Sequence, residues 1–201
     1  MEPLQKDWKE LYSIIHPSII DTITEDLKLS NVMPVQDTVI PLFSKNTDVV
    51  VESCTGSGKT LAFLIPTLNR LVLQGTDTAF VKIDTKLGNS EPESDTEIST
   101  STNFDYPNAL IVSPTRELAQ QIHQVLQSMV LGIKKRLNAV IKTRVLIGGK
   151  SIAEKVLPGD KDLKCLGVVW VGTPGRLREV IHTQDINGKY YTYIYIRIYI
   201  L

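Results

Sequence analysis

Apolar positions along the chain follow two patterns. Val49-Val50-Val51, Ala109-Leu110-Ile111-Val112, Thr143-Arg144-Val145-Leu146-Ile147 and Gly167-Val168-Val169-Trp170-Val171 are short runs. Runs of this kind fill parallel strands that are buried on both faces. Elsewhere the apolar residues recur at helical spacing. Such stretches hold Ile19, Ile20, Ile23 and Leu27 from about Pro17, then Leu61, Leu64, Leu68, Leu71 and Val72, then Ile122, Val125, Leu126 and Met129. A shorter helix is expected from Ser151 to Val156. Nearer the start, Trp8 to Leu11 is a short amphipathic stretch, and a turn over Ser30 to Gln36 leads into Val39-Ile40-Pro41-Leu42-Phe43. Strand and helix alternate, so the expected fold is α/β: a parallel sheet flanked by helices, with the loops after the strands gathered along one edge.

Two stretches break the pattern. Between about Gly75 and Pro107 the chain is polar and acidic, with few apolar anchors. It is expected to be a disordered or mobile surface insertion, because it cannot bury enough surface to offset its ordering entropy. From Lys189 to Leu201 tyrosine and isoleucine alternate. That pattern reads as an edge strand, or as translated AT-rich noncoding sequence unrelated to what precedes it. The expected organisation is therefore an N-terminal region over 1–45, a main domain over 46–189 containing the insertion, and an unrelated tail over 190–201.

Composition narrows the classes. At 201 residues the chain suits one sizeable domain. Its 22 basic and 22 acidic residues cancel, so any nucleic-acid contact must be local rather than a global electrostatic pull. Cys54 and Cys165 have no metal-ligand spacing. This argues against a disulfide framework or a disulfide-linked partner and for a reducing compartment. The N-terminus lacks the basic and apolar regions of a signal peptide, and no apolar run approaches the roughly 20 residues of a membrane span. An intracellular protein without a membrane anchor is expected.

The chemistry concentrates at Ser53-Cys54-Thr55-Gly56-Ser57-Gly58-Lys59-Thr60, between the Val49–Val51 run and the helical stretch from Leu61. A Gly/Ser-rich turn ahead of a helix points backbone N–H groups at one concave spot, and the helix N-terminus favours negative charge there. Strand, loop and helix arrive in Walker A order. Gly56 and Gly58 would allow close approach of phosphate, Lys59 would reach the β- and γ-phosphates, and the Thr60 hydroxyl would ligate Mg²⁺. Ser53 stands where the motif usually has its first glycine. The expected ligand is a nucleoside triphosphate with Mg²⁺.

Further along lie Pro114-Thr115-Arg116-Glu117-Leu118-Ala119, Gly148-Gly149 and Thr173-Pro174-Gly175-Arg176. Together with Thr55 to Thr60, and in this order, they resemble motifs Ia, GG, Ib and I of the DEAD-box RNA helicases. Pro34-Val35-Gln36 is similar to the end of that family's Q motif, and Trp8 to its isolated upstream aromatic. The resemblance runs from about Trp8 to Ile181. His16-Pro17, Met33 to Gln36 and Ile40 to Phe43 look closest to the rRNA helicases of large-ribosomal-subunit assembly, which implies a nuclear or nucleolar site of action.

The resemblance implies a RecA-like fold and an RNA-dependent ATPase. It assigns ATP to Gln36, Trp8 and the phosphate loop, with Gln36 pairing with adenine and Trp8 stacking on it. The alternative for Trp8, weighed below stacking, is a small hydrophobic anchor for the N-terminal arm. It assigns the phosphate backbone of single-stranded RNA, rRNA by the subfamily likeness, to Pro114, Thr115, Arg116, Gly148, Gly149, Thr173, Pro174, Gly175 and Arg176. Hydroxyls, guanidinium groups and glycine-exposed amides suit phosphate oxygens and read no base. Lys28-Leu29 stands where the family has Gly-Phe.

The chain contains no Asp-Glu pair, so it lacks the Asp-Glu-Ala-Asp motif, and with it the Ser-Ala-Thr motif and the second RecA-like domain. An incomplete first helicase domain with little or no turnover is expected. In that case Val49–Val51 loses neighbouring strands, and the Tyr/Ile tail is the available partner for its open flank. Two other readings stand beside this one: a non-catalytic nucleotide- and RNA-binding module, and a small P-loop kinase or GTPase, in which the Pro-Thr-Arg-Glu-Leu and Thr-Pro-Gly-Arg stretches would go unexplained.

Overall fold

In the computed structural model, residues 6–45, 47–76, 107–149, 163–183 and 195–197 are described. The expected helix over Ser151–Val156 and nearly all of the polar stretch over 75–107 lie outside them.

The parallel sheet has the order β4-β5-β3-β6, built from β3 (Ala109–Val112), β4 (Ala139–Leu146), β5 (Lys164–Gly172) and β6 (Tyr195–Arg197). β3 and β5 pair parallel, as do β4 and β5, and as do β3 and β6. Two strands begin earlier than their apolar runs suggest, β4 at Ala139 and β5 at Lys164. The pairing between them slips at Val140/Ile141, where Leu166 is the extra residue of a bulge.

Side chains alternate across the sheet. Ala109, Ile111, Ile141, Val169 and Val171 face the main core, with α3 (Lys59–Thr76) and α4 (Arg116–Leu137). Leu110, Leu146, Val168 and Trp170 face the other way and meet Leu177 and Val180 of α5 (Pro174–Thr183). Every residue of α3 from Leu61 to Asn69 is buried, as expected of a helix apolar on all sides. It lies between the sheet and the N-terminal region. The polar Asn69 is satisfied there, accepting the His16 N–H at 2.7 Å and donating to the Ile14 carbonyl at 2.8 Å.

The N-terminal region is a small packed unit. β1 (Lys6–Asp7) pairs antiparallel with β2 (Asn31–Val32), and the short helix α1 (Pro17–Asp21) runs into one widened π-type turn over Thr22–Asp26. α2 (Pro34–Ser44) starts at a proline, whose missing N–H costs nothing at a first helical position. Trp8, Leu11, Ile15, Ile19, Ile20 and Ile23 share one core with Leu64, Ile65 and Leu68 of α3. The described part of the N-terminal region, residues 6–45, thus shares a core with the main domain.

One expectation fails. Val49-Val50-Val51 forms no strand, and Val50 is 95% exposed. A strand needs a partner for its backbone groups, and the free flank of β3 is occupied by β6. The Tyr/Ile tail does form a strand, but against β3 rather than against Val49–Val51.

Candidate functional site: a phosphate loop and a row of strand-end loops

The phosphate loop leads directly into the first turn of α3, where Lys59 is the first helical residue. Gly56 and Gly58 have φ of 78° and 90°, a backbone region that only glycine enters freely. Around Gly56 the space is open, with no heavy atom within 4 Å of where a β-carbon would stand. The N–H groups in the first turn of a helix have no carbonyl four residues earlier in the helix to bond. Lys59 Nζ bonds the Ser53 carbonyl and, at 2.7 Å, the Cys54 carbonyl, so the loop wraps its own ammonium. Ser53 and Ser57 hydroxyls lie 2.8 Å apart. Where the motif usually has glycine, the Ser53 side chain thus ties the loop across its base. Cys54 and Cys165 are both exposed free thiols.

Gln36 is 2% exposed and joins the N-terminal region to this loop. Its Oε1 accepts the Met33 N–H at 2.8 Å, and its Nε2 donates to the Gly58 carbonyl at 3.2 Å. An amide has two donor hydrogens and two acceptor lone pairs. These two bonds use one of each.

Trp8 takes the anchor role instead of the stack. It is 0% exposed within the main core, so no face of its indole is open to a base. The indole Nε1 has no hydrogen-bond partner among the described residues.

The strand ends bring the other predicted residues to one edge. Val112 pairs with Gly172, and Gly172 with Leu146, so β3, β4 and β5 finish level. Ser113 N–H donates to the Gly172 carbonyl at 2.9 Å, and Thr173 N–H to the Leu146 carbonyl at 3.1 Å. Gly172 is required by this closeness, since a β-carbon would stand 2.5 Å from the Leu146 carbonyl oxygen. The loops holding Pro114–Arg116, Gly148-Gly149 and Thr173–Arg176 therefore emerge side by side. Thr115 caps α4 by accepting the Leu118 N–H at 3.2 Å. The exposed Arg116 lays its guanidinium against Gly148, 2.9 Å from where a β-carbon would be. Gly149 turns with φ 82°. Arg176 Nη1 donates to Glu179 at 2.7 Å. Pro114 and Gly175 are exposed, as is Pro174 at the start of α5.

Sequence comparison settles the family. The DEAD/DEAH box helicase profile matches residues 33–196, most of the chain. This chain belongs to the DEAD/DEAH box helicase family. The match extends into the Tyr/Ile tail. The chain is 36% identical over 181 residues to the ATP-dependent rRNA helicase SPB4 of Scheffersomyces stipitis, and 37% identical over 180 residues to that of Debaryomyces hansenii. Each alignment covers 90% of this chain and 26% of the relative, so the chain spans about a quarter of those proteins. Among solved structures it resembles the yeast DEAD-box splicing factor Prp28, with a TM-score of 0.64 and 28% identity over 95% of this chain and 38% of that one. It also resembles a DEAD box protein from Methanococcus jannaschii, at TM-score 0.58 and 27% identity, over 94% of this chain and 40% of that one.

The membership gives meaning to a position that the sequence alone left bare. Lys28, standing where the family has glycine, has φ 57°. The backbone is left-handed there, and a lysine meets a steric cost that glycine avoids. Also unforeseen is Arg136, near the end of α4, which grips the N-terminal region through Glu25 and Asp26. A solvated arginine in a Lys-Lys-Arg run gives no sign of a distant partner.

Proposed function

We propose that this chain binds Mg-ATP in the Ser53–Thr60 loop and the backbone of single-stranded RNA along the strand-end loops, as the opening part of an ATP-dependent RNA helicase that acts on rRNA. What carries the reading is Lys59 at the head of α3, below a loop with left-handed glycines at Gly56 and Gly58. In a family of helicases, such a cradle is for nucleotide phosphates. Gln36, whose amide carries both donor and acceptor, supports adenine as the base. Thr60 would give its hydroxyl to Mg²⁺. Among the described residues no three His, Cys, Asp or Glu side chains cluster for a metal.

The RNA reading rests on the chemistry of the strand-end edge. Arg116, Arg176, the Thr115 and Thr173 hydroxyls and the turn at Gly148-Gly149 offer donors for phosphate and nothing that selects a base. The relatives named as rRNA helicases support rRNA as the target, and a nucleolar place of action would follow from that reading. No helix among the described residues is long and apolar enough to cross a membrane.

With no Asp-Glu pair in its 201 residues, the chain by itself should turn over ATP slowly. Loss of general-base chemistry costs about 10²–10⁴ in rate. The unpaired Val49–Val51 run ahead of the phosphate loop suits a second reading, in which this polypeptide binds nucleotide and RNA without catalysis. Phosphate release measured with and without RNA, beside a Lys59→Ala control, tests whether this chain turns over at all. Background release is expected; RNA-stimulated release near about 1 s⁻¹ would mean a catalytic acid lies elsewhere in the chain.

A further inference from the structure

The phosphate loop is braced from one side by the N-terminal region, and that region packs on α3 and α4, with one cluster of polar contacts to α4. Arg136 makes that cluster. Its Nη1 donates to Asp26 Oδ2 at 2.5 Å, to the Gly132 carbonyl at 3.1 Å and to Thr22 Oγ1 at 3.4 Å. Its Nη2 donates to Glu25 Oε2 at 2.7 Å and to the Asp21 carbonyl at 3.1 Å. Lys135 adds a looser pairing with Asp26 at 3.6 Å. Helix and turn meet closely because residue 132 is glycine: a β-carbon there would overlap Thr22 and lie 2.6 Å from Asp26 Oδ2. A planar guanidinium with fixed donors matches this set of carboxylates and carbonyls as a lysine could not.

The gripped segment is the widened turn Thr22–Asp26, and little slack separates it from the loop. Leu27 N–H bonds the Thr22 carbonyl and Leu29 N–H the Ile23 carbonyl, each at 3.0 Å. Lys28 between them is fixed in its left-handed conformation. β2 follows, pairing with β1, and then Met33 and Gln36, whose side chains pack on Gly58. A β-carbon at Gly58 would lie 2.5 Å from Gln36 Nε2 and 3.3 Å from Met33 Cγ. Leu27, Leu29 and β2 are bonded and Met33 and Gln36 are packed, a path by which displacement of the turn can reach the loop.

We propose that Arg136 is a positioning residue for the phosphate loop: by clamping the Thr22–Asp26 turn to α4, it sets the Met33–Gln36 brace against Gly58. It touches no ligand and acts through Gln36. The inference rests on the nucleotide reading only for what the loop is for; the bracing itself is measured without nucleotide.

The test compares amide hydrogen exchange across residues 53–63 in the 201-residue chain and its Arg136→Ala, Arg136→Lys and Asp26→Asn variants. Val180→Ala, in the second core against α5, is the control for general destabilisation. Arg136→Ala should raise exchange in the phosphate loop by about tenfold, the size of one charged hydrogen bond lost. Arg136→Lys should restore less than half of the protection, and Asp26→Asn should act in the same direction. Val180→Ala should lower the melting temperature while leaving loop exchange within about twofold of the parent. Should Arg136→Ala fail to fold, Asp26→Asn carries the comparison. Faster exchange confined to residues 17–26 would overturn the proposal, as would an equal response in the Val180→Ala control. A parallel titration with a fluorescent ATP analogue should show Arg136→Ala weakening affinity by about the same factor. If the parent chain binds no nucleotide, the function proposed above fails while the exchange result still decides the role of Arg136.

Discussion

Gln36 and Gly58 hold the N-terminal region and the phosphate loop together: the side-chain amide donates to the glycine carbonyl at 3.2 Å and, through Oε1, accepts the Met33 N–H at 2.8 Å. A side chain buried this way fixes where the loop begins its turn into α3. Gln36→Ala should weaken ATP binding by about tenfold, since each lost buried hydrogen bond costs about 0.5–1.5 kcal/mol. It should also erode preference for ATP over GTP. Calorimetric titration with both nucleotides checks this; an unchanged ATP/GTP ratio would leave Gln36 as a brace alone.

Trp8 anchors the N-terminal region from inside the main core. Trp8→Ala should cost about 3–5 kcal/mol of stability, the usual range for a buried tryptophan, and Trp8→Phe markedly less. Denaturant unfolding reads the stability. Nucleotide affinity of the folded Trp8→Phe protein should match the parent, because the ring is fully covered. A large loss of ATP affinity without loss of stability would return Trp8 to the adenine face.

Much of this was legible in the sequence, for reasons that particular residues show. Ala109–Val112 and Gly167–Val171 are apolar on both faces because helices cover both sides of the sheet, so their runs announce strands directly. The phosphate loop is legible because its glycines and lysine are adjacent in sequence. Val49–Val51 misled because a β-branched run states a preference, and a strand forms only when a neighbour completes its hydrogen bonds. Trp8 misled in a different way, since an aromatic that packs and an aromatic that stacks leave the same letter. Arg136 was illegible because its partners lie about 110 residues away (|i−j| of 110 and 111 for Asp26 and Glu25).

The clamp also predicts a pH dependence. The hydrogen bond from Arg136 holds the Asp26 carboxyl below its ordinary value of 3.8, with the Arg136 and Lys135 charges adding to it and partial burial opposing. Glu25 is the other acid facing Arg136. A carboxyl whose pKa is lower in the folded state contributes stability that is fully present above the unfolded value and is lost as pH falls through the folded one. Stability should therefore fall below about pH 4, and Asp26→Asn should flatten that fall while lowering stability near neutral pH. Urea unfolding at a series of pH values measures both.

RNA contact through phosphates implies weak sequence preference and a steep salt dependence. Arg116, lying exposed against Gly148, should account for about one phosphate. Arg116→Ala should lower the slope of log affinity against log salt by about 0.7, the single-strand value for one contact. Polarisation titrations with unrelated single-stranded sequences at several salt concentrations provide the reading. Strong preference for one base sequence, undiminished by salt, would remove Arg116 and Arg176 from the backbone-binding role.

The central claim is that Lys59 sits at the centre of a nucleotide phosphate site, and titration of Mg-ATP into the parent chain and into Lys59→Ala addresses it most directly. Lys59 already reaches the Ser53 and Cys54 carbonyls, so its removal deletes the cation at the centre of the loop without touching the core. The account predicts saturable Mg-ATP binding by the parent and loss of at least about 100-fold in affinity, roughly 2.7 kcal/mol, in the Lys59→Ala protein at unchanged melting temperature. Equal binding by the two proteins would contradict it.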